Sequence, residues 1–237
     1  MSPELKKRIL TSILLLSLLS AMYLYSFIMI GSLLIISIIV WIEFYAMVSK
    51  IIKNNKFKDK LLRFMLKSGS LLYLSFFVYF VFLIESHLTH LKIYLLYTVL
   101  IAISSDIGGL IFGKTFKGKK LTKISPNKTI SGSIGSFVLS IFLIPIFYNN
   151  LIIYDFLTLL ILTIVISLTS QLGDLFISFL KRKANVKDTS DLLPGHGGLL
   201  DRVDGIIFAA PLGVFLLNFL NLNEKKNCTF RLNWFYW

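Results

Sequence analysis

Seven stretches of about twenty mainly apolar residues, strung along a chain of 237, are what most limits the folds open to this sequence. A run of that length crosses the hydrocarbon of a bilayer as a helix. In lipid the backbone meets no water, so every N–H and C=O must be satisfied within the segment, and a helix does that. The runs fall at roughly 9–27, 28–48, 69–86, 92–112, 130–149, 152–180 and 205–222. The expected fold is therefore all-α, a polytopic transmembrane helix bundle of about seven spans, with seven to nine allowed, forming a single integral membrane domain over residues 1–237. The sixth run is long, and Gly173 and Asp174 interrupt its apolar character. The N-terminal Lys6-Lys7-Arg8 followed by an apolar run resembles a signal peptide. That run continues to residue 48 without a small-residue cleavage site, which favours two retained helices.

Composition agrees: 56% of residues are hydrophobic and 16% charged, with a mean hydropathy of +0.78. A net charge of +13 would suggest a nucleic-acid partner in a soluble protein. Here the basic residues follow membrane topology instead. With the N-terminus inside, the inner segments 1–8, 49–68, 113–129 and 181–204 hold 21 of the 25 Lys and Arg residues. That asymmetry orients the chain, with these loops on the cytoplasmic side of a cell membrane. Seven spans leave the tail outside, although it carries Lys225, Lys226 and Arg231. A tail folded back onto the surface or an additional half-helix would reconcile the two. The basic stretch Lys50–Lys67 reads as an ordinary inner loop, with contact to anionic headgroups as the alternative. The single cysteine, Cys228, rules out a disulfide framework or a cysteine-based metal site. A homodimer is compatible with this composition, which says nothing of how copies would pair.

Acidic residues inside spans are costly and point to function. Glu43, next to Trp41 at an inner boundary, reads as a snorkelling carboxylate. Asp106 and Asp174 are stronger candidates, because each precedes an inner loop rich in Gly, Ser and Lys. The upstream loop, 104–133, starts Ser104-Ser105-Asp106 and carries Lys114, Lys117, Lys119, Lys120, Lys123 and Lys128. Such a loop can gather polyphosphate, or simply signal topology. Gly108-x4-Gly113-Lys114-Thr115 matches the phosphate-binding-loop pattern of soluble nucleotidases. That motif requires a preceding strand and an open glycine cradle. A membrane span precedes it here, and Leu110, Ile111 and Phe112 fill the cradle, so the match is taken as fortuitous.

The loop at 178–204 is the most informative. On a helix, Asp174, Ser178 and Lys181 fall within about 60° of one another and offer a carboxylate, a hydroxyl and an ammonium on one face. Asp201 and Asp204 lie three apart at the start of the last span. Magnesium favours a few carboxylates supplemented by substrate phosphates, and Asp174, Asp201 and Asp204 can supply such a partial shell. Capping of the last helix is the alternative for the final two. His196 has no partnering Cys or His, which argues against zinc. His87 and His90, on the outer side, read as interfacial.

The stretch from Ser178 to Asp204 resembles the signature of the phosphatidate cytidylyltransferase (CDP-diglyceride synthase) family, S-x-x-K-R-x4-K-D-x-S-x3-P-x-H-G-G-x-x-D-R-x-D, at every fixed position. The likeness extends upstream through Asp106, Gly113-Lys114 and Ser125-Pro126-x-Lys128-Thr129, while the first hundred residues match only as generic spans. Gly108-Gly109, Asn127 and Gly205 depart from the family's usual residues. The resemblance implies attack by a phosphatidate oxygen on the α-phosphorus of CTP, giving CDP-diacylglycerol and diphosphate for phospholipid synthesis. It implies Asp174, Asp201 and Asp204 as ligands to Mg2+, with a second cation left open, and Ser178 and Lys181 as phosphate contacts beside them. Asp106, Lys128, Lys187, Asp188, His196, Gly197, Gly198 and Arg202 then form the substrate-binding set. A CTP-dependent transferase for another lipid phosphate is the nearest alternative. A transporter of phosphorylated anions would place its polar groups near mid-membrane on broken helices, not at one inner face.

Overall fold

The computed structural model describes the backbone of residues 3–54, 56–122, 125, 128–151, 155–193 and 197–234, and the side chains of those between 10 and 220. Its helices are α1 (Pro3–Leu24), α2 (Ser26–Ile51), α3 (Phe57–Ser86), α4 (Lys92–Phe116), α5 (Ile130–Ile141), α6 (Ile144–Phe147), α7 (Phe156–Lys183) and α8 (Leu200–Trp234). Extended pairing among the described residues is confined to two isolated bridges, Lys120 with Thr129 and Leu193 with Gly197. Among the described residues, six segments are long and apolar enough to cross a membrane: Ser26–Ile51, Phe57–Ser86, Thr89–Phe116, Ile130–Asn150, Phe156–Lys183 and Leu200–Leu220. The apolar stretch described in α1, Leu10–Leu24, is shorter. Large apolar side chains such as Phe27, Leu72, Phe142 and Phe215 stand exposed along these helices. Hydrocarbon is the solvent that suits such a surface.

Packing divides the chain into two compact units, Met1–Thr89 with Asp174–Asp204, and His90–Gly173 with Gly205–Trp237. In the first, α2 and α3 pack against each other as a hairpin, and Val40, Met47 and Val48 of α2 and Leu74, Phe77 and Val81 of α3 are buried. The helix α3 begins twelve residues earlier than the span expected at 69–86, so most of the inner basic segment is helix rather than loop. Its basic side chains explain the extension. Arg63 donates through Nη2 to the carbonyls of Ile52 (2.5 Å) and Asn54 (3.1 Å), capping the end of α2. Lys67 donates to Ser49 Oγ at 2.7 Å and lies 3.3 Å from the Tyr45 ring centroid, a cation–π contact. At the other end of the hairpin Glu85 is buried and accepts the Ser26 hydroxyl.

In the second unit α4 and α5 pack most closely. A Cβ at Gly108 would lie 2.4 Å from the Gly135 carbonyl oxygen, so glycine is what permits this approach. Gly108 and Gly113 both lie inside the regular helix α4, and their glycines serve helix contact rather than a phosphate cradle. Buried hydroxyls stitch the interior. Ser136 donates to the Ser105 carbonyl (2.6 Å), Ser167 to Ser105 Oγ (3.1 Å), and Tyr97 and Thr163 share a bond of 2.6 Å. Such bonds glue helices where hydrophobic burial cannot discriminate between them.

The expected span 130–149 is broken after Ile141, and helix resumes at Ile144 with Pro145 in its first turn. Proline lacks the N–H that would continue the ladder and its ring crowds the preceding turn. The start of the sixth expected span, 152–154, lies outside the described residues. Asp155 accepts from the Thr158 N–H at 3.3 Å and caps α7. The Thr158 hydrogen bonds hold the exposed Asp155 carboxyl below the usual range. From there α7 runs unbroken through Gly173 and Asp174 to Lys183.

Candidate active site

The end of α7 is written in its sequence. The Asn185 N–H donates to the Arg182 carbonyl (3.1 Å) and the Val186 N–H to the Lys181 carbonyl (3.0 Å). Asn185 takes a left-handed conformation with φ of 54°. This is a Schellman stop with asparagine, the commonest substitute for glycine, at the left-handed position. It turns the chain sharply while the last helical face stays ordered. On that face Ser178 Oγ donates to Asp174 Oδ1 at 3.3 Å, one turn apart as the spacing predicts. Lys181, the third member, turns to the start of α8 and pairs with Asp201 Oδ1 at 2.6 Å.

Asp201 is thereby the hub of the loop. Its Oδ2 accepts the N–H of Thr189 (2.9 Å), the hydroxyl of Thr189 (3.1 Å) and the N–H of Gly198 (3.1 Å). The bond from Gly198, three residues back, is the reach of an acid in a first helical turn toward the unpaired N–H groups before it. So the capping geometry is present, and the same carboxylate also holds an ammonium and a distant loop segment. Asp204 is buried, Asp174 is half-buried, and Lys187, Asp188 and Arg202 are exposed. The buried Asp204 is thus two residues from an exposed cation, Arg202.

The residue that sequence reasoning passed over is Glu43. Its side chain is buried rather than snorkelling. Oε1 accepts from Ser190 Oγ (2.5 Å) and the Leu199 N–H (3.0 Å). Oε2 accepts from Thr189 Oγ1 (2.9 Å) and the Leu200 N–H (2.8 Å). A side chain from α2 thus joins both ends of the 189–200 segment and caps α8 from outside. Backbone approach makes room for it. A Cβ on Gly198 would fall 1.9 Å from Thr189 Oγ1 and 2.7 Å from Glu43 Oε2, so no other residue fits there. Its neighbour Gly197 has φ of +80°, which side chains rarely tolerate. The signal for Glu43 in the sequence is its cost: an acid within an apolar run needs partners. Nothing in the sequence names partners that lie 146 to 157 residues away.

The first unit gathers Asp174, Ser178, Lys181, Lys187, Asp188, Gly197, Gly198, Asp201, Arg202 and Asp204. Pro194, Gly195 and His196 lie outside the described residues. Asp106 and Lys128 belong to the second unit. There Asp106 is exposed on α4, and Lys128 lies in a loop closed by the Lys120–Thr129 bridge, its carbonyl accepting the Leu121 N–H at 2.8 Å.

Among the described residues no three His, Cys, Asp or Glu side chains come together as a metal cage. The donors on α7 and α8 are nevertheless carboxylate and hydroxyl oxygens, which suit a hard cation, and magnesium commonly takes one or two carboxylates and completes its shell with phosphates and water. Asp174 and Asp204 fit that pattern. In this arrangement Asp201 is committed to Lys181, Thr189 and Gly198.

A sequence model described as the cytidylyltransferase family matches residues 2–220. The chain is 47% identical over 127 residues to a phosphatidate cytidylyltransferase of Rickettsia bellii, a stretch covering 50% of this chain and 54% of the relative. It is 41% identical over 126 residues to the Bacillus subtilis phosphatidate cytidylyltransferase, covering 52% and 47% respectively. With the Staphylococcus haemolyticus phosphatidate cytidylyltransferase the figures are 43% over 127 residues, 52% and 48%. The matches thus span about half the length of these relatives.

Proposed function

The chain belongs to the cytidylyltransferase family, and from that premise we propose that it transfers the cytidylyl group of CTP to phosphatidate in a cell membrane. A phosphatidate oxygen attacks the α-phosphorus of CTP. The new P–O bond forms as the bond from the α-phosphorus to the β-phosphate bridging oxygen breaks, and diphosphate leaves. The attacking oxygen is ionised at neutral pH, so no general base is required. What the protein must supply is alignment of two anions and neutralisation of charge on the non-bridging oxygens.

The observation that carries this reading is the Lys181–Asp201 pair, 2.6 Å long, beside the Asp174–Ser178 face. An ammonium already desolvated against a carboxylate can exchange that partner for a phosphate oxygen. Exposed Lys187 and Arg202 then take further phosphate oxygens, Arg202 through its planar fork. Ser178 donates to phosphate or orients Asp174. Asp174 and Asp204 would hold Mg2+, which would supply positive charge to offset the repulsion between the nucleotide and lipid phosphates. The excess of Lys and Arg in the inner segments supports a site that opens to the cytoplasm.

The test is purified protein in detergent with labelled CTP and phosphatidate. We expect CDP-diacylglycerol that depends on added magnesium and vanishes in excess chelator. Full turnover in chelator, with no metal retained, would remove the role given to Asp174 and Asp204. No product from phosphatidate, with product from another lipid phosphate, would move the substrate assignment.

A further inference from the structure

Resting on the cytidylyltransferase reading, we propose that Glu43 on α2 is a positioning residue for the reaction. It ties Thr189 and Ser190 to Leu199 and Leu200, and so sets Asp201, and through it Lys181, for the substrate phosphates. Three observations carry this. Glu43 is buried, with 4% of its surface exposed, yet both its oxygens are fully used. Its four donors are two hydroxyls at one end of the segment, Thr189 and Ser190, and two backbone N–H groups at the other, Leu199 and Leu200. Finally, the chain of contacts does not stop there. Thr189 reaches Asp201 through its N–H, its single hydroxyl hydrogen lies between Glu43 Oε2 and Asp201 Oδ2, and Asp201 pairs with Lys181. Glu43, Thr189, Asp201 and Lys181 form one connected series from α2 to the last turn of α7.

The chemistry demands a carboxylate. Each Glu43 oxygen faces one hydroxyl and one backbone N–H. Hydroxyls can rotate to accept instead of donate, but backbone N–H groups cannot. Glutamine has the same shape but one acceptor oxygen. Whichever way its amide is flipped, its NH2 meets the N–H of Leu199 or Leu200, and one buried donor is left without a partner. Aspartate is a methylene short and cannot reach both ends. The segment would then loosen where α8 begins, and Asp201 would lose the fixed Thr189 that helps to orient it. Positioning errors of this size lower turnover strongly even when no reacting group is changed.

The experiment compares Glu43→Gln, Thr189→Val and the double variant, with Glu85→Gln as a buried acid at the opposite end of the same hairpin. Two readouts are taken: steady-state kcat/KM for CTP, and hydrogen exchange of the 188–200 amides in detergent. We expect Glu43→Gln to lower kcat/KM at least about tenfold and to speed exchange in 188–200 by a similar factor. Thr189→Val should lower kcat/KM as well. The double variant should be no worse than the poorer single one within about twofold, because both cut the same series. Glu85→Gln should leave kcat/KM within about twofold of wild type. An active wild type with Glu43→Gln unchanged in both readouts overturns the proposal, as does a double variant whose losses multiply. If Glu43→Gln does not insert, Ser190→Ala with Thr189→Val removes the hydroxyl donors without orphaning an N–H, and unchanged kcat/KM there overturns it equally. An inactive wild type overturns the reaction itself. That failure is distinguishable, since faster exchange in Glu43→Gln would still show the carboxylate holding the segment.

Discussion

Asp201→Asn tests what the Asp201 carboxylate does for the fold. Asparagine can turn its carbonyl oxygen to the N–H groups of Thr189 and Gly198, so the cap survives. Its NH2 then faces the Lys181 ammonium, which in the wild type pairs with Asp201 Oδ1 at 2.6 Å. The side chains of the pair are 12% and 6% exposed, so water can do little to compensate. Breaking a buried pair by removing one partner costs about 3–5 kcal/mol. The remaining access of Lys181 to solvent puts the expected loss at the low end, about 3 kcal/mol. For a chain of this size that corresponds to a fall in Tm of roughly 6–12 °C. The assay is thermal unfolding in detergent of Asp201→Asn, Lys181→Met and the double variant. The Lys181→Met change on its own leaves Asp201 charged without its cation, whereas the double variant leaves no charge behind. The double variant should therefore be less destabilised than the sum of the singles by about 2 kcal/mol or more. Additivity within about 0.5 kcal/mol, or an unchanged Tm for Asp201→Asn, would refute the ion pair as a structural element.

Two further outcomes test the frame around the site. Gly108→Ala should destabilise by about 1–3 kcal/mol, because its Cβ meets the Gly135 backbone oxygen at 2.4 Å. By contrast Gly31→Ala, with nothing within 4 Å, should be neutral or stabilising by up to about 1 kcal/mol in the same unfolding assay. In a Cys228→Ser background, Lys120→Cys and Asp191→Cys should react with a non-permeant thiol reagent from the cytoplasmic side alone. Labelling from the opposite side would reverse the orientation drawn from the Lys and Arg distribution.

Much of this protein is decided locally and is therefore legible in its sequence. Apolar runs of membrane length force helices because lipid leaves the backbone no other partner. Ala184-Asn185-Val186 ends α7 because asparagine tolerates the left-handed turn. The spacing of Asp174 and Ser178 sets their contact because a helix repeats every 3.6 residues. Asp201 lies in the first turn of α8, where an acid suits unpaired N–H groups. Tertiary structure decided the rest, and in each case the reason is a partner far along the chain. The early start of α3 depends on Arg63 and Lys67 finding the end of α2. Lys181 shares a helical face with Asp174 but pairs across the loop with Asp201. Gly198 could be read as flexibility until Thr189 and Glu43 are seen to fill the space of its Cβ. Glu43 itself looks like a boundary carboxylate in its own helix. Only folding brings Thr189, Ser190, Leu199 and Leu200 to it, because a periodic pattern states which face a residue occupies and says nothing of what will be packed against that face.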